Sequence, residues 1–172
     1  MHSYKRTVPA LLACALLMTS AGGCVGYRLG STLPPDLRSV HVPPVVNNSG
    51  EPLLELVTTR ELLQELQRDG TLKVAAADQA DSLLEITLVG FQQSPLRYER
   101  DNPKATREYR QEITAQIVFK NVRTGKLLLR KEVKGESTFD LVGDLTSAKR
   151  ATVPLCARDL AHDIVESVVE YW

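Results

Sequence analysis

The strongest constraint on the fold is a regular alternation of apolar and polar residues near the middle of the chain. Alternate residues from Tyr109 to Phe119 form one mostly apolar set, and residues between and beside them, such as Arg110, Glu112 and Lys120, are polar. A period of two is typical of a β-strand with one buried face and one solvated face. The chain must therefore build a sheet and cover one side of it.

Other segments extend this sheet. Turn residues at 121–125 predict a hairpin whose partner strand is 126–138. Three more strands are predicted, at 39–46, 72–75 and from 84 to 91 or beyond. Residues 94–106 are expected to form a long polar connection.

Two segments have the spacing of amphipathic helices. The first, 51–69, precedes Gly70 in a C-cap position, and its predicted apolar residues are Leu53, Leu56, Val57, Leu63 and Leu66. The second closes the chain, with an apolar stripe of Leu160, Ala161, Ile164, Val165, Val168, Val169 and Trp172. Because of Pro154, this helix has two possible starts. It begins either after a cap at Asp144 or Thr146 or later, near Thr152.

A chain of 172 residues with 43% hydrophobic residues is expected to form one domain with its own core. Two helices must bury their apolar stripes against the dry face of the sheet. We therefore predict an α+β two-layer sandwich, with two main helices on one face of a four- or five-stranded, mostly antiparallel sheet.

The first residues are typical of a bacterial export signal. Lys5 and Arg6 precede an apolar run at 8–18, which is shorter than the about 20 residues that span a bilayer. Small residues at 19–23 then precede Cys24, which resembles the lipobox at which bacterial lipoproteins are cut and acylated. We expect a signal peptide at 1–23, a lipidated N-terminus and linker at 24–35, and the folded domain at 36–172. An ordinary cleaved signal is the alternative.

Residues suited to catalysis or metal binding are scarce. After loss of the signal, His41, His162 and Cys156 remain, none of them in a catalytic motif, and the sequence contains no glycine-rich phosphate loop. We expect no enzymatic activity, no metal and no cofactor. A deep pocket that holds His41 or His162 with a carboxylate would reverse this expectation.

One region is unusually basic. Between Arg97 and Lys134 the chain has eleven basic and five acidic residues. Arg97, Arg100 and Lys104 lie on or beside the polar connection, where they are suited to an anion such as phosphate. The alternative is a solvated hairpin face with scattered ion pairs. An exported chain rarely meets nucleic acid, so no nucleic-acid partner is expected.

The order and spacing of these segments resemble the LptE family of lipopolysaccharide-assembly lipoproteins over nearly all of the mature sequence. The matching motifs are Cys24 followed closely by Gly26-Tyr27-Arg28-Leu29, the helix that ends at Asp69, Arg107-Glu108-Tyr109-Arg110 at the start of the long strand, Thr124-Gly125-Lys126 at its turn, and 144–150 before the last helix.

The resemblance implies a non-enzymatic lipoprotein of the outer membrane, anchored on its periplasmic face. It would plug an LptD-type β-barrel, assist assembly of that barrel and help to deliver lipopolysaccharide to the outer leaflet. The resemblance also implies lipopolysaccharide contacts at Lys149 and in the loop before the long strand, where Arg100, Arg97 and Lys104 are the expected residues. A general envelope scaffold that binds another periplasmic or outer-membrane protein through its sheet edge is the alternative.

Overall fold

A computed structural model describes residues 33–34, 36–98, 106–141 and 143–171, and the statements below concern these residues. They form a six-stranded sheet and two helices. In chain order the elements are β1 (Ser39–His41), β2 (Val46–Asn47), α1 (Leu54–Asp69), β3 (Lys73–Val74), β4 (Ser82–Tyr98), β5 (Thr106–Asn121), β6 (Leu127–Asp140) and α2 (Leu145–Val169). The predicted α+β class is confirmed, with more strands than expected.

The sheet has the order β3-β1-β4-β5-β6, and β2 also pairs with β4. The long strands β4, β5 and β6 are antiparallel neighbours, whereas β1, β2 and β3 pair in parallel. The single strand predicted at 39–46 is two short strands, because Pro43 and Pro44 cannot donate ladder hydrogen bonds. The connection predicted at 94–106 was too long, since β4 continues to Tyr98 and β5 begins at Thr106.

The core lies between the helices and one face of the sheet. On β5 the buried residues include Gln111, Ile113, Ala115, Ile117 and Phe119, which confirms the predicted alternation. On α2 they include Leu160, Ala161, Ile164, Val165 and Val168, which confirms the predicted stripe up to Val168. Val169 is partly buried, and Trp172 lies outside the described residues. Neither helix in the described ranges is long and apolar enough to cross a membrane.

The predicted apolar face of α1 was wrong in part. Leu66 is buried as predicted and Val57 packs against the core, but Leu53 and Leu56 are 65% and 62% exposed. The other buried residues are Leu54, Thr58, Glu61, Leu62 and Glu65. Glu61 and Glu65 face α2, where they pair with Arg158 and His162 at 3.4 Å and 3.2 Å. A pattern based on hydrophobicity treats such carboxylates as solvent-facing, and this shifts the predicted face.

The start of α2 is set by Asp144. Its side-chain carboxylate accepts hydrogen bonds from the backbone N–H groups of Thr146 at 2.8 Å and Ser147 at 3.1 Å. These bonds satisfy donors that the first turn of a helix leaves unpaired. The helix therefore begins at Leu145, the earlier of the two predicted starts, and Pro154 lies inside it.

Helix α2 approaches β6 closely at Gly135. A Cβ atom at this position would lie 2.5 Å from the Cβ of Leu160 and 2.6 Å from the carbonyl oxygen of Cys156. The buried thiol of Cys156 donates to the carbonyl of Gly135, with 3.1 Å between sulfur and oxygen. Desolvation raises the pKa of this thiol to about 12. The absence of a side chain at Gly135 thus lets the helix backbone lie directly against the strand.

Candidate functional site

Lys149 lies near the start of α2, on the same end of the domain as the start of α1. Its Nζ atom is 2.6 Å from Oε2 of Glu51 and 5.0 Å from the centroid of the Phe91 ring. The side chains of Lys149 and Glu51 are 28% and 23% exposed, so the ion pair is partly screened from solvent. An anionic ligand that contacts Lys149 has to compete with Glu51.

An apolar groove, called here the interhelical groove, opens beside Lys149 between the N-terminal parts of the two helices. Its volume is about 410 Å³, within the range of ligand pockets. Its walls and rim are formed by Glu51, Pro52, Leu53, Leu54, Val57, Thr146, Lys149, Arg150, Val153 and Pro154. The walls are mainly apolar, and the two cations Lys149 and Arg150 lie on the rim. The groove is therefore suited to a molecule with both an apolar and an anionic part.

Leu53 forms part of this groove in an unusual backbone conformation. Its φ of 63° and ψ of 7° lie in the left-handed region, and it is the one non-glycine residue with positive φ in the described ranges. For an L-residue other than glycine this conformation costs about 1–2 kcal/mol. Backbone strain of this kind is concentrated at active sites and ligand-binding sites.

Arg97 lies towards the end of β4, away from the groove. Its Nε atom is 3.2 Å from Oε2 of Glu108, and its side chain is 78% exposed. Six residues of extended strand, up to about 20 Å, separate Arg97 from Phe91, so Arg97 and Lys149 form two distinct contact points. Arg100 and Lys104 lie outside the described residues.

Most of the basic excess between Arg97 and Lys134 does not form one patch in the described part of the chain. Ion pairs on the outer face of the sheet neutralise many of the charges, and they join Arg110 to Glu136, Lys120 to Glu85 and Lys134 to Glu112. The hydrogen bond with Glu112 raises the pKa of Lys134. The alternative interpretation, a solvated face with ion pairs, thus describes most of this hairpin.

His162 lies beside a carboxylate, but at an open surface and not in the deep pocket that the expectation for an enzyme named. Its Nδ1 atom is 3.2 Å from Oε1 of Glu65, a contact that raises the pKa of His162. Both residues line a shallow, open depression of about 360 Å³ together with Ser137. Across the described residues, however, no hydroxyl or thiol is hydrogen-bonded to the His162 ring, so a base is present without a nucleophile. No cluster that could hold a metal ion occurs among these residues.

The sequence analysis missed the apolar part of the groove. Leu53 was assigned to the buried face of the helix, and Arg150 was not distinguished from other exposed basic residues. The signal available in the sequence was a pair of prolines. Pro52 precedes Leu53, and Pro154 follows Val153. This signal does not reveal that the two segments meet.

The described residues define a class of protein: an α+β sandwich with a cationic, apolar groove and without an assembled nucleophile and base. Solved structures share the fold. A protein from Xanthomonas campestris matches with a TM-score of 0.57 and 11% identity, over 84% of this chain and 89% of that chain. A hypothetical protein from Chlamydia trachomatis matches with a TM-score of 0.56 and 12% identity, over 78% and 97%. An uncharacterized lipoprotein B from Nitrosomonas europaea matches with a TM-score of 0.51 and 14% identity, over 85% and 88%.

The sequence itself identifies the family. A family model described as LptE, lipopolysaccharide-assembly, matches residues 37–171. The chain therefore belongs to the LptE family, and it has a role in lipopolysaccharide assembly. No curated protein matches the sequence.

Proposed function

We propose that the protein is an outer-membrane lipoprotein that pairs with an LptD-type β-barrel and plugs it. In this role it assists assembly of the barrel and delivery of lipopolysaccharide to the outer leaflet. Membership of the LptE family supports the role, and a protein of similar fold from Nitrosomonas europaea is described as a lipoprotein. The proposed anchor is acylated Cys24, which lies outside the described residues. Several acyl chains hold a protein to a membrane far more firmly than one.

The observation that carries the lipopolysaccharide contact is the position of Lys149. This ammonium group lies on the rim of the interhelical groove, where an apolar surface adjoins a positive charge. Phosphate groups of lipopolysaccharide can accept hydrogen bonds from Lys149 when they displace the Glu51 carboxylate. Arg97 is proposed as a second contact, together with Arg100 and Lys104.

Substitution of the two described cations tests the lipid contact. The variants are Lys149→Ala and Arg97→Ala, made singly and together in the full chain and purified from detergent-solubilised membranes. Lys126→Ala is a matched control, because Lys126 is exposed and has no ion pair within the described ranges. Each site variant should bind lipopolysaccharide several-fold more weakly, and Lys126→Ala should bind like the wild type. Unchanged binding by a folded double variant would reject the site assignment.

Co-purification tests the proposed partner and anchor. A stoichiometric outer-membrane β-barrel recovered with the protein supports the proposal, and labelling with a radioactive fatty acid should be lost in Cys24→Ser. A soluble periplasmic partner would instead favour the general scaffold. This second function is favoured by the position of β6. The strand has 14 residues, pairs with β5 on one side and forms the edge of the sheet on the other. An edge strand of this length offers unpaired backbone groups to another chain.

A further inference from the structure

We propose that the interhelical groove binds one acyl chain of lipopolysaccharide while Lys149 and Arg150 hold the phosphate-bearing end of the same molecule. This inference rests on the proposed function and adds the hydrocarbon part of the contact. It assigns a binding role to Leu53, Val57 and Pro154, which are apolar residues of the groove.

The walls of the groove match hydrocarbon. Pro52 and Pro154 have no backbone N–H to donate, and Leu53, Val57 and Val153 present only carbon atoms from their side chains. Leu53 keeps its side chain 65% exposed in a strained left-handed conformation. An acyl chain in the groove covers this side chain and removes its apolar surface from water.

The rim of the groove determines the orientation of the ligand. Lys149 and Arg150 lie on one side of a mainly apolar surface, where Glu51 neutralises Lys149 until an anionic ligand displaces its carboxylate. Helix α1 also begins here, and no side chain caps its first N–H groups. These groups carry partial positive charge, which favours an anion at the same end of the groove. The acidic group of an amphiphile therefore lies at the rim, and its chain lies against the walls.

The same surfaces disfavour a peptide as the occupant. An extended peptide segment brings its own N–H and C=O groups, each of which needs a hydrogen-bond partner when it is buried. The side chains of Pro52, Leu53, Val57, Val153 and Pro154 supply none, and the polar side chains of the lining are confined to Glu51, Thr146, Lys149 and Arg150. An acyl chain has no polar atoms along its length, so it can be buried here without unpaired groups.

Leu53→Asn is the test variant, with Leu56→Asn as its matched control. Asparagine tolerates a positive φ, so Leu53→Asn should fold at least as well as the wild type. Leu56 is 62% exposed at the start of the same helix and does not line the groove. Leu53→Gly serves as a second variant, because glycine also suits this backbone. Binding is measured by the full chain in detergent, with two probes: fully acylated lipid A, and its deacylated phosphorylated disaccharide.

The proposal predicts that Leu53→Asn and Leu53→Gly bind acylated lipid A about tenfold more weakly, as expected for loss of one apolar wall. Binding of the deacylated probe should not change, and Leu56→Asn should resemble the wild type with both probes. Equal binding of acylated lipid A by the Leu53 and Leu56 variants would overturn the acyl-chain site. Loss of the β-barrel partner with unchanged lipid A binding would also overturn it, because the groove would then bind protein. A wild-type chain that binds neither probe would instead overturn the lipid contact of the proposed function.

Discussion

Gly135 controls how closely α2 can lie against the sheet, and its substitution gives the most direct test of the packing. In Gly135→Ala the new Cβ would lie 2.5 Å from the Cβ of Leu160 and 2.6 Å from the oxygen of Cys156. Ordinary van der Waals contact begins near 3.4 Å, so the helix has to move by almost 1 Å. Backbone atoms cannot avoid the methyl group by a rotamer change, and the whole segment around Cys156 and Leu160 must shift.

The expected cost follows from this overlap. Overpacking of a filled core usually destabilises a protein by about 1–3 kcal/mol, and a clash with helix backbone belongs at the upper end. We therefore expect a loss of about 3 kcal/mol in the free energy of unfolding, or a decrease in Tm of about 10 °C for a domain of this size. The displaced helix should also weaken the hydrogen bond from Cys156 to the Gly135 carbonyl, so the thiol should react faster with an alkylating reagent.

Gly90→Ala is the matched control for Gly135→Ala. Gly90 is also a strand glycine, but a Cβ there would meet nothing closer than 3.6 Å, at Thr114. Alanine at this site should be neutral or slightly stabilising, because it lowers the entropy of the unfolded chain. Unfolding in urea, followed by circular dichroism, measures both variants in detergent. If Gly135→Ala unfolds at the same urea concentration as Gly90→Ala, the close contact between α2 and β6 is incorrect.

Three further substitutions have defined outcomes. Glu51→Gln should raise the affinity for lipopolysaccharide several-fold, because it removes the carboxylate that competes for Lys149. Glu132→Gln makes the same change in charge at an exposed site and should leave the affinity unchanged. Equal affinities of the two variants would argue against the competition. Hydrogen bonds, first from the Ser39 hydroxyl, lower the pKa of Asp81. The contribution of Asp81 to the free energy of unfolding is therefore present at neutral pH and is lost as the pH falls below about 4. The difference in urea midpoint between Asp81→Asn and the wild type should accordingly shrink in acid. The hydrogen bond with Glu65 raises the pKa of His162. The wild type should therefore exceed His162→Gln in free energy of unfolding by the full amount below about pH 6.5, and this difference should decline as the pH rises through the folded-state pKa. A difference in stability that does not vary with pH would contradict this.

Elements set by a local repeat could be predicted from the sequence. The alternation on β5 and the stripe on α2 each bury the predicted residues, because each element presents one apolar face to the core. The turn after β5 was predicted from its residues, and Gly125 adopts the positive φ of 68° that glycine permits. Gly70 likewise ends α1 with a φ of 73° and a hydrogen bond to Leu66.

Features that depend on contacts between distant segments could not be predicted. The buried face of α1 includes Glu61 and Glu65, which are paired both with Arg60 and Arg68 of α1 and with Arg158 and His162 of α2. The two partners on α2 lie 97 residues away in the sequence. The candidate site depends on such contacts as well. Lys149 was identified through the family resemblance, whereas its pairing with Glu51 and the groove beside it arise only when the two helix starts meet.

The ion pairs that join the α1 segment to α2 have a nearly constant sequence separation. Glu61 and Glu65 of α1 pair with residues 97 positions later, and Glu51, just before α1, pairs with Lys149, 98 positions later, so the two helices run in the same direction. Sliding one helix by a turn, about 5.4 Å, would separate all three pairs together, while Glu61 and Glu65 would keep the pairs with Arg60 and Arg68 of their own helix. The three pairs therefore favour one axial alignment of the two helices. The same alignment places Pro52 and Leu53 opposite Lys149 and Arg150, so the pairs also hold the two sides of the interhelical groove together.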